Sequence, residues 1–222
     1  MNEQNISDNQ PASKQKSSAR EWTEAIIIAL LLALFIRTFV VQAFKIPSGS
    51  MKDTLLIGDH ILVSKFIYGI KIPFSGNVLI PFKKPARNDI IVFRYPQNPE
   101  KDYIKRVIGT PGDKLEIVNK KIFINDQPYD DQYGIYLDST IYPREVQPRD
   151  NFGPVVVPEH SYFVMGDNRD NSYDSRFWNY VDIKAVKGKA FMLYWSWDRE
   201  SFAWQWNHIL PVRWSRIGDL VH

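Results

Sequence analysis

The distribution of hydrophobic and polar positions divides the chain into three parts. Residues 1–21 are polar and rich in Asn, Gln, Ser and Lys, so they bury too little apolar surface to fold and are predicted to form a tail. Residues 22–43 contain an unbroken apolar run from Ala25 to Ile36 and are long enough to cross a bilayer as a helix. In residues 44–222, short runs of Ile, Val, Phe and Tyr alternate with Gly, Pro, Asn and Asp clusters, which predicts strands.

Three interpretations of the apolar segment 22–43 are open. A retained membrane anchor fits its length if Arg37 extends its charged end to the interface. A cleaved signal peptide would end in small residues, which Val41-Gln42-Ala43 matches loosely, but the polar region ahead of the run is longer than usual. A buried core helix would need a helical partner that the rest of the chain does not offer. We favour the anchor, and the basic residues before it weakly favour a cytoplasmic N-terminus.

The remaining region has the pattern of a mainly β, antiparallel fold. Strands are predicted at His60–Phe66, Asp89–Arg94, Tyr103–Gly109, Lys114–Val118, Lys121–Ile124, Ser161–Met165 and Gly188–Trp195. Asn119-Lys120 predicts a tight hairpin, and the five prolines of residues 127–158 predict a loop-rich excursion or smaller β-lobe. We therefore expect an antiparallel β-sheet domain tethered by one N-terminal transmembrane helix.

Composition and charge narrow the classes of function. The 222 residues carry a net charge of +3 with acids and bases interleaved, which argues against a nucleic-acid partner. The absence of cysteine excludes disulfides, thiol nucleophiles and thiolate metal sites, and the four histidines are too far apart in sequence for a metal-binding pair. No glycine-rich nucleotide motif occurs, so we expect neither a metal nor an organic cofactor.

The residues directly after the anchor are the first candidate for chemistry. In Ile46–Met51, Gly49 permits a tight turn between two serines. A serine becomes a nucleophile only with a base beside it, so these six residues taken alone favour a linker leaving the membrane.

Two later segments are rich in charge. Lys105 and Arg106 are adjacent in a predicted strand, so their side chains would point to opposite faces. A lysine acts as a base near neutral pH only if burial lowers its pKa, whereas charges on an edge strand would merely oppose aggregation. The polar loop of residues 166–176 predicts either a solvated turn or an ion-pair network around Asp174 and Arg176.

Taken together, these segments resemble the bacterial type I signal peptidases, which are membrane-tethered Ser/Lys endopeptidases. The shared motifs are PSGSM (47–51), TLLIGD (54–59), DIIVF (89–93), YIKRVIGTPGD (103–113) and GDNRDNSYDSR (166–176). The resemblance runs from the anchor through residue 176 and more loosely to the C-terminus. It implies a serine endopeptidase that removes signal peptides from exported preproteins at the membrane surface, cutting after small residues at the −3 and −1 positions.

The resemblance also implies a role for individual residues. Ser50 would be the nucleophile and Lys105 the general base, with the Ser50 amide and the Ser48 hydroxyl forming the oxyanion hole and Ser172 orienting the lysine amine. Structural support of the site would come from two pairs: Arg106 with Asp167, and Asp174 with Arg176, which would hold the polar loop in place. Shallow substrate pockets would be lined by Phe44, Ile46, Pro47, Leu55, Tyr103 and Ile104.

The chain departs from the usual family pattern at two positions. Asp53 stands where proline is common, which would loosen the turn after the nucleophile. Asn88 stands where glycine is common, which would alter a β-bend. Neither position carries a catalytic group.

The expected partners and location follow from the same resemblance. Secretory preproteins and the lipid bilayer would be the partners of a monomeric protein in the bacterial cytoplasmic (inner) membrane, with the N-terminus cytoplasmic and the catalytic domain, residues 44–222, on the other side. A catalytically silent domain that binds exported polypeptides is one alternative, which the Ser/Lys set argues against. A Ser/Lys protein that cuts itself or folded regulators, as the related self-cleaving repressors do, is another, and the anchor argues against it.

Five tryptophans near the C-terminus leave a further alternative open. Tryptophan favours membrane interfaces, but its ring also fills β-sheet cores. The residues are Trp195, Trp197, Trp204, Trp206 and Trp214.

Overall fold

The fold combines one N-terminal helix with a largely antiparallel β-domain. The structure, a computed structural model, describes residues 18–71, 78–80, 82–198 and 211–222. The α-helices are α1 (Ser18–Phe35) and α2 (Ser175–Trp178), and the 3-10 turns are Gly49–Met51, Arg169–Asn171, Ile183–Ala185 and Trp214–Arg216. The strands are β1 (Val41–Lys45), β2 (Asp59–Ser64), β3 (Ile70–Lys71), β4 (Val78–Ile80), β5 (Ile90–Tyr95), β6 (Asn98–Gly109), β7 (Lys114–Val118), β8 (Lys121–Ile124), β9 (Gln127–Pro128), β10 (Phe152–Val156), β11 (Ser161–Met165), β12 (Val181–Asp182) and β13 (Val186–Ser196).

The N-terminal helix is a candidate membrane span. Helix α1 continues through the π-helical turn Ile36–Val40, giving 23 helical residues, none of them buried in the protein, and an 18-residue stretch of them has a mean hydropathy of 2.2. The core-helix interpretation is therefore wrong. The helix differs from the predicted segment 22–43 because it begins at Ser18 and ends at Val40. Its end is set by β1, whose backbone from Val41 onward is extended and pairs with β2.

The main sheet holds the three chemically distinctive segments close together. Its seven strands lie in the order β1-β2-β13-β5-β6-β11-β12, with antiparallel pairing between neighbours. The seven strands predicted from the sequence are all present, five of them in this sheet and the other two, β7 and β8, in a smaller one. Strand β6 begins at Asn98 rather than Tyr103. Strand β6 pairs with β5 and, from Arg106 onward, with β11, and Lys105 and Arg106 are 4% and 0% exposed, so their interpretation as solvated charges of an edge strand is wrong.

A smaller sheet forms the predicted β-lobe. Its strands lie in the order β10-β7-β8-β9, and the excursion 127–158 supplies both outer strands. Asn119 and Lys120 join β7 to β8 with φ angles of 48° and 71°, the left-handed backbone that a tight hairpin of this type requires. The predicted hairpin is thus confirmed.

Three clusters of buried apolar side chains form the core. One cluster lies beneath the segment after the anchor and includes Met51, Leu55 and Ile61. Burial of these side chains fixes the start of the β-domain against β2, β5 and β13, because each fully buried aliphatic side chain stabilises the fold by about 2 kcal/mol.

The described C-terminal tryptophans form a ring cluster at the surface. The Trp195 ring meets those of Trp197 and Trp214 at centroid distances of 5.3 and 5.7 Å. Trp214 is 71% exposed, so it does not fill the core. Trp204 and Trp206 lie outside the described residues.

Candidate active site

Ser50 lies in a tight turn between the anchor and the first loop of the β-domain. The turn Gly49–Met51 begins after Ser48, whose backbone is extended, and buried Met51 holds it against the core. The Ile46 amide donates to the Asp59 carbonyl, which ties the approach to this turn to β2. The chain thus reverses at the edge of the sheet and leaves the Ser50 side chain only half-buried.

Lys105 reaches Ser50 from β6. Its Nζ lies 2.6 Å from Ser50 Oγ, and the lysine is only 4% exposed. Burial lowers the pKa of Lys105 to about 8, while Asp174 and Asp167 oppose this shift and Arg176 adds to it. A lysine in this setting supplies a neutral amine near physiological pH. The sequence indicated that a lysine base needs such burial, and the structure shows that Lys105 is buried.

The two side chains open into a cleft of about 350 Å³. Its lining residues are Ser48, Gly49, Ser50, Tyr103, Lys105, Asn168, Asn171 and Tyr173. Of the six side chains predicted to line substrate pockets, Tyr103 is in this lining. Ile46 and Leu55 lie instead in the core, at 2% and 0% exposure, and Phe44 and Ile104 pack partly buried against the same cluster. Pro47 is exposed beside the turn.

Arg106 points away from Lys105 and pairs with Asp167. Two parallel hydrogen bonds of 2.8 and 2.7 Å run from its Nε and Nη2 to the carboxylate, and both side chains are fully buried. Thr54 donates to the same carboxylate at 2.6 Å. The Asp167 carboxylate therefore connects β6, the polar loop and the chain that follows the nucleophile.

Asp174 and Arg176 form the second predicted pair. The Arg176 Nε and Nη2 atoms each donate to the Asp174 carboxylate at 2.9 Å, and the Gly166 amide donates to it at 3.0 Å. Burial alone would raise the pKa of Asp174. The charge of Arg176 and the hydrogen bonds that the Asp174 carboxylate accepts hold that pKa below its usual range. The Asp174 carboxylate therefore joins the first residue of the polar loop, Gly166, to its last, Arg176.

Ser172 does not make the contact with Lys105 that the resemblance implies. Its Oγ is buried and, in the part of the chain that the structure describes, has no hydrogen-bond partner of ordinary geometry. It lies close enough to Asp174 to contribute to lowering the pKa of that carboxyl. The Ser172 hydroxyl is therefore near the site without being bonded to the amine.

Two residues of the polar loop were not singled out from the sequence. Asn168 binds the nucleophile turn twice, through its amide to the Ser50 carbonyl and its side-chain nitrogen to the Gly49 carbonyl, each at 3.1 Å. A Cβ added to Gly166 would overlap with the Ser50 carbonyl oxygen and the Ser172 side chain. The composition of the loop marked it as a candidate, but these contacts depend on a turn more than a hundred residues away.

The two departures from the family pattern have different structural consequences. Asn88 has φ of 73°, a left-handed conformation that asparagine tolerates better than most residues, so the bend is formed without glycine. Its carbonyl accepts a hydrogen bond of 2.9 Å from Arg106 Nη1. Asp53 also has φ of 73°, which proline cannot adopt, so the turn after the nucleophile has a shape that a proline there would forbid.

No metal centre is evident among the residues with described positions, where no group of three or more His, Cys, Asp or Glu side chains could hold an ion. The chemistry available at the site is instead that of a hydroxyl beside a buried amine, with amide and hydroxyl donors next to it.

Comparison with known proteins relates this chain to one family. The family model described as signal peptidase, peptidase S26, matches residues 19–195. Signal peptidase I of Pseudomonas aeruginosa is 38% identical over 206 residues, covering 80% of this chain and 72% of that protein. Signal peptidase I of Pseudomonas fluorescens is 37% identical over 228 residues, covering 89% and 78%. A crystal structure of a signal peptidase I from Enterococcus faecalis is 32% identical, covers 49% of this chain and 97% of that one, and superposes with a TM-score of 0.39.

Proposed function

This chain belongs to the signal peptidase family, peptidase S26, and we propose that Ser50 is its nucleophile and Lys105 its general base. Membership of the family supports a membrane-anchored hydrolase that removes signal peptides. The observation that carries the assignment is the 2.6 Å separation of Lys105 Nζ from Ser50 Oγ, with the lysine 4% exposed. A buried amine beside a hydroxyl is the arrangement that activates a serine without histidine.

The proposed reaction has two stages. Neutral Lys105 accepts the proton of Ser50 as Oγ attacks the scissile carbonyl carbon, and the resulting ammonium returns a proton to the leaving amine nitrogen. Water then hydrolyses the acyl ester with the same lysine as base. With a pKa of about 8, roughly a tenth of the lysine is neutral at pH 7, compared with about 1 in 3,000 for an unperturbed side chain.

The oxyanion formed in each stage would be held by the Ser50 amide and the Ser48 hydroxyl. Ser50 is in the first turn of a 3-10 helix, where backbone N–H groups lack partners within the helix. Ser48 is exposed beside it and lines the cleft. Donors of this kind each lower an activation barrier by about 3 kcal/mol in serine hydrolases.

The support residues act through position. Arg106–Asp167 and Asp174–Arg176 fix the polar loop, and the buried Ser172 hydroxyl lies beside the Asp174 carboxyl. We assign Ser172 the role of orienting the Lys105 amine during the proton transfers.

An extended peptide fits the cleft as the substrate. β11 pairs with β6 from Arg106 to Gly109, whereas β5 is the described partner of residues 98–105, so one side of β6 beside Ser50 is open to an added strand. In an extended peptide the −3 and −1 side chains point the same way. Both would face the part of the cleft that Tyr103 lines, while Phe44 and Ile104 pack partly buried against the core cluster that contains Ile46 and Leu55. A cleft of about 350 Å³ shared with the peptide backbone favours small residues there.

The position of the anchor supports the choice of substrate and location. The helical span ends at Val40, only ten residues before Ser50, so the reaction would take place near the bilayer surface where a membrane-threaded signal peptide ends. We propose secretory preproteins and the lipid bilayer as partners. The protein would be a single-span monomer of the bacterial inner membrane, with its N-terminus in the cytoplasm and residues 44–222 on the extracytoplasmic side.

Cleavage of a preprotein by the purified full chain in detergent micelles tests the assignment. Mass spectrometry of the products should give one cut after a small residue at the end of the signal peptide for the wild type and none for Ser50→Ala or Lys105→Ala. Ser161→Ala and Lys114→Ala, which alter a serine and a lysine outside the cleft, are the matched controls and should cut normally. Cleavage that survives Lys105→Ala would show that the base has been misassigned.

A further inference from the structure

The first part of the excursion lies directly against the buried ion pair behind the cleft. We call residues 129–135 the strap. The ring centroid of Tyr133, at its centre, is 3.6 Å from the guanidinium carbon of Arg106, so ring and cation are stacked in contact. The edge of the same guanidinium is occupied by Asp167 and by the Asn88 carbonyl. Tyr133 therefore covers a face of Arg106 that its hydrogen bonds leave open.

The backbone of the strap is joined to the polar loop. The Ile135 amide donates to the Asp167 carbonyl at 2.8 Å, and the Arg169 amide donates to the Ile135 carbonyl at 3.0 Å. These two bonds form a short parallel bridge centred on Ile135 and Asn168. The loop is thus held by the strap on one side, while on the other Asn168 binds the turn that carries Ser50.

A second side-chain contact holds the strap between its start and Tyr133. Asp131 accepts two hydrogen bonds from fully buried Arg169, one of them 2.9 Å from Nε to Oδ2. A Cβ on Gly134 would overlap with the Asp131 carboxylate and approach Arg169, so a side chain at that position would displace this pair. At the start of the strap, the Tyr129 hydroxyl donates to the Asn88 side chain.

We propose that Tyr133 is a positioning residue for the reaction of Ser50 and Lys105, acting by sealing the Arg106–Asp167 pair and holding the loop that binds the nucleophile turn. This inference rests on the proposed function of that serine and lysine. It gives residues 129–135 of the excursion a role in catalysis although none of them is predicted to touch the substrate.

The route from Tyr133 to the reacting atoms consists of direct contacts. Tyr133 packs on Arg106, Arg106 binds Asp167, and the next residue, Asn168, holds the carbonyl of Ser50. If water replaces the ring, Arg106 and Asp167 can separate and the loop loses its fixed position. Small displacements of a catalytic group from a distant change can lower turnover by up to about 100-fold.

The same change would alter the surroundings of Lys105. Its charged neighbours are Asp167, Asp174 and Arg176 from the polar loop and the start of α2, it lies 5.7 Å from the Tyr103 ring on its own strand, and it faces Ser50 from the nucleophile turn. Loosening the loop admits water, which weakens the burial that lowers the pKa of Lys105. It also leaves the charge of Asp167 less neutralised by Arg106. Both effects raise the pKa of Lys105, so the loss of activity should be larger at pH 7 than at pH 9.

The test compares three variants of the full chain in detergent micelles, assayed on a peptide with alanine at −3 and −1. Tyr133→Ala should lower kcat by roughly 10- to 100-fold with KM within about threefold, and should shift the rising limb of the pH profile to higher pH. Tyr133→Phe keeps the stacked ring, so its kcat and pH profile should match those of the wild type. The control is Tyr142→Ala, which removes a tyrosine of the excursion whose ring centroid lies 4.6 Å from the guanidinium carbon of Arg149. It should leave the pH profile unchanged.

The outcomes separate positioning from general stability. A Tyr133→Ala variant with wild-type kcat, or with activity reduced by the same factor at every pH, would overturn the proposal. If that variant does not fold, Tyr133→Leu, which fills part of the space without a π face, is assayed for the same two quantities, kcat and the pH profile. Ser50→Ala and Lys105→Ala are assayed alongside, because activity in either would refute the proposed function itself, whereas inactivity in both combined with an unaffected Tyr133→Ala would refute only the role of Tyr133.

Discussion

Replacing Lys105 by methionine should make the protein more stable while abolishing its activity. Lys105 is almost completely buried, and its pKa is lowered from 10.5 to about 8. The unfolded chain therefore binds a proton more tightly at this residue than the folded chain does, so folding at neutral pH is opposed by the charge of the lysine. Methionine has a similar length and no charge to bury.

The expected gain follows from the two pKa values. A difference of 2.5 units corresponds to about 3 kcal/mol at pH 7, where both states are mainly protonated. Loss of the hydrogen bond to Ser50 would take back about 1 kcal/mol, leaving a net gain of about 2 kcal/mol. At pH 10 the folded amine is neutral, whereas about three quarters of the unfolded amine is still protonated, and the ionisation contribution falls to about 1 kcal/mol. The stability of the wild type should thus rise with pH between 8 and 10.5, and the advantage of the variant should disappear.

Urea-induced unfolding of both proteins in the same micelles, at pH 7 and pH 10, measures this difference. Lys114→Met on β7 is the matched control, because that lysine is paired with Asp126 at the surface and its replacement should change stability little and equally at both pH values. A Lys105→Met variant less stable than the wild type at pH 7, or an advantage that is the same at pH 10, would refute the argument that burial sets the pKa of Lys105.

Three further predictions concern the same site. The kcat/KM of the wild type should rise about tenfold from pH 7 to pH 9 as Lys105 loses its proton, and a profile that is flat over this range would contradict a lysine base with a pKa near 8. Gly166→Ala should abolish cleavage, because its Cβ would displace the Ser50 carbonyl, and a peptide assay with wild-type turnover would show that the close approach is not needed. Asp167→Asn should lower the free energy of unfolding by about 3 to 5 kcal/mol by leaving a buried arginine charge unpaired, as measured by urea titration against the surface control Asp126→Asn, and equal effects of the two changes would exclude a special role for the buried pair.

Strands of both larger sheets could be predicted because their signals are local. Alternating β-branched and aromatic residues bounded by turn residues identify β7, β8 and β11 at their observed bounds. The end of the anchor could not be placed in the same way. Val41, Ala43 and Phe44 continue the apolar character of the helix, and only the pairing of Val41–Lys45 with β2, which depends on the tertiary fold, makes this segment a strand.

The chemistry of the site was predictable in kind but not in its supporting contacts. The motifs indicated a serine, a lysine and two ion pairs, and the structure brings all of them together around one cleft. The role of Tyr133 has no comparable signal. A tyrosine in a proline-rich excursion looks like any loop aromatic until the fold places it on Arg106.

The buried charges around the cleft are better explained by position than by stability. A buried ion pair typically gains little over a well-packed apolar pair, because desolvation offsets the attraction between the charges. Arg106–Asp167, Asp174–Arg176 and Arg169–Asp131 would on that basis do little to offset the unfavourable burial of Lys105. The apolar clusters supply the stability, while the paired charges hold the strand, loop and turn at separations that dispersion forces alone would not specify. Polar groups are concentrated where Ser50 and Lys105 must meet because directional bonds fix their relative positions.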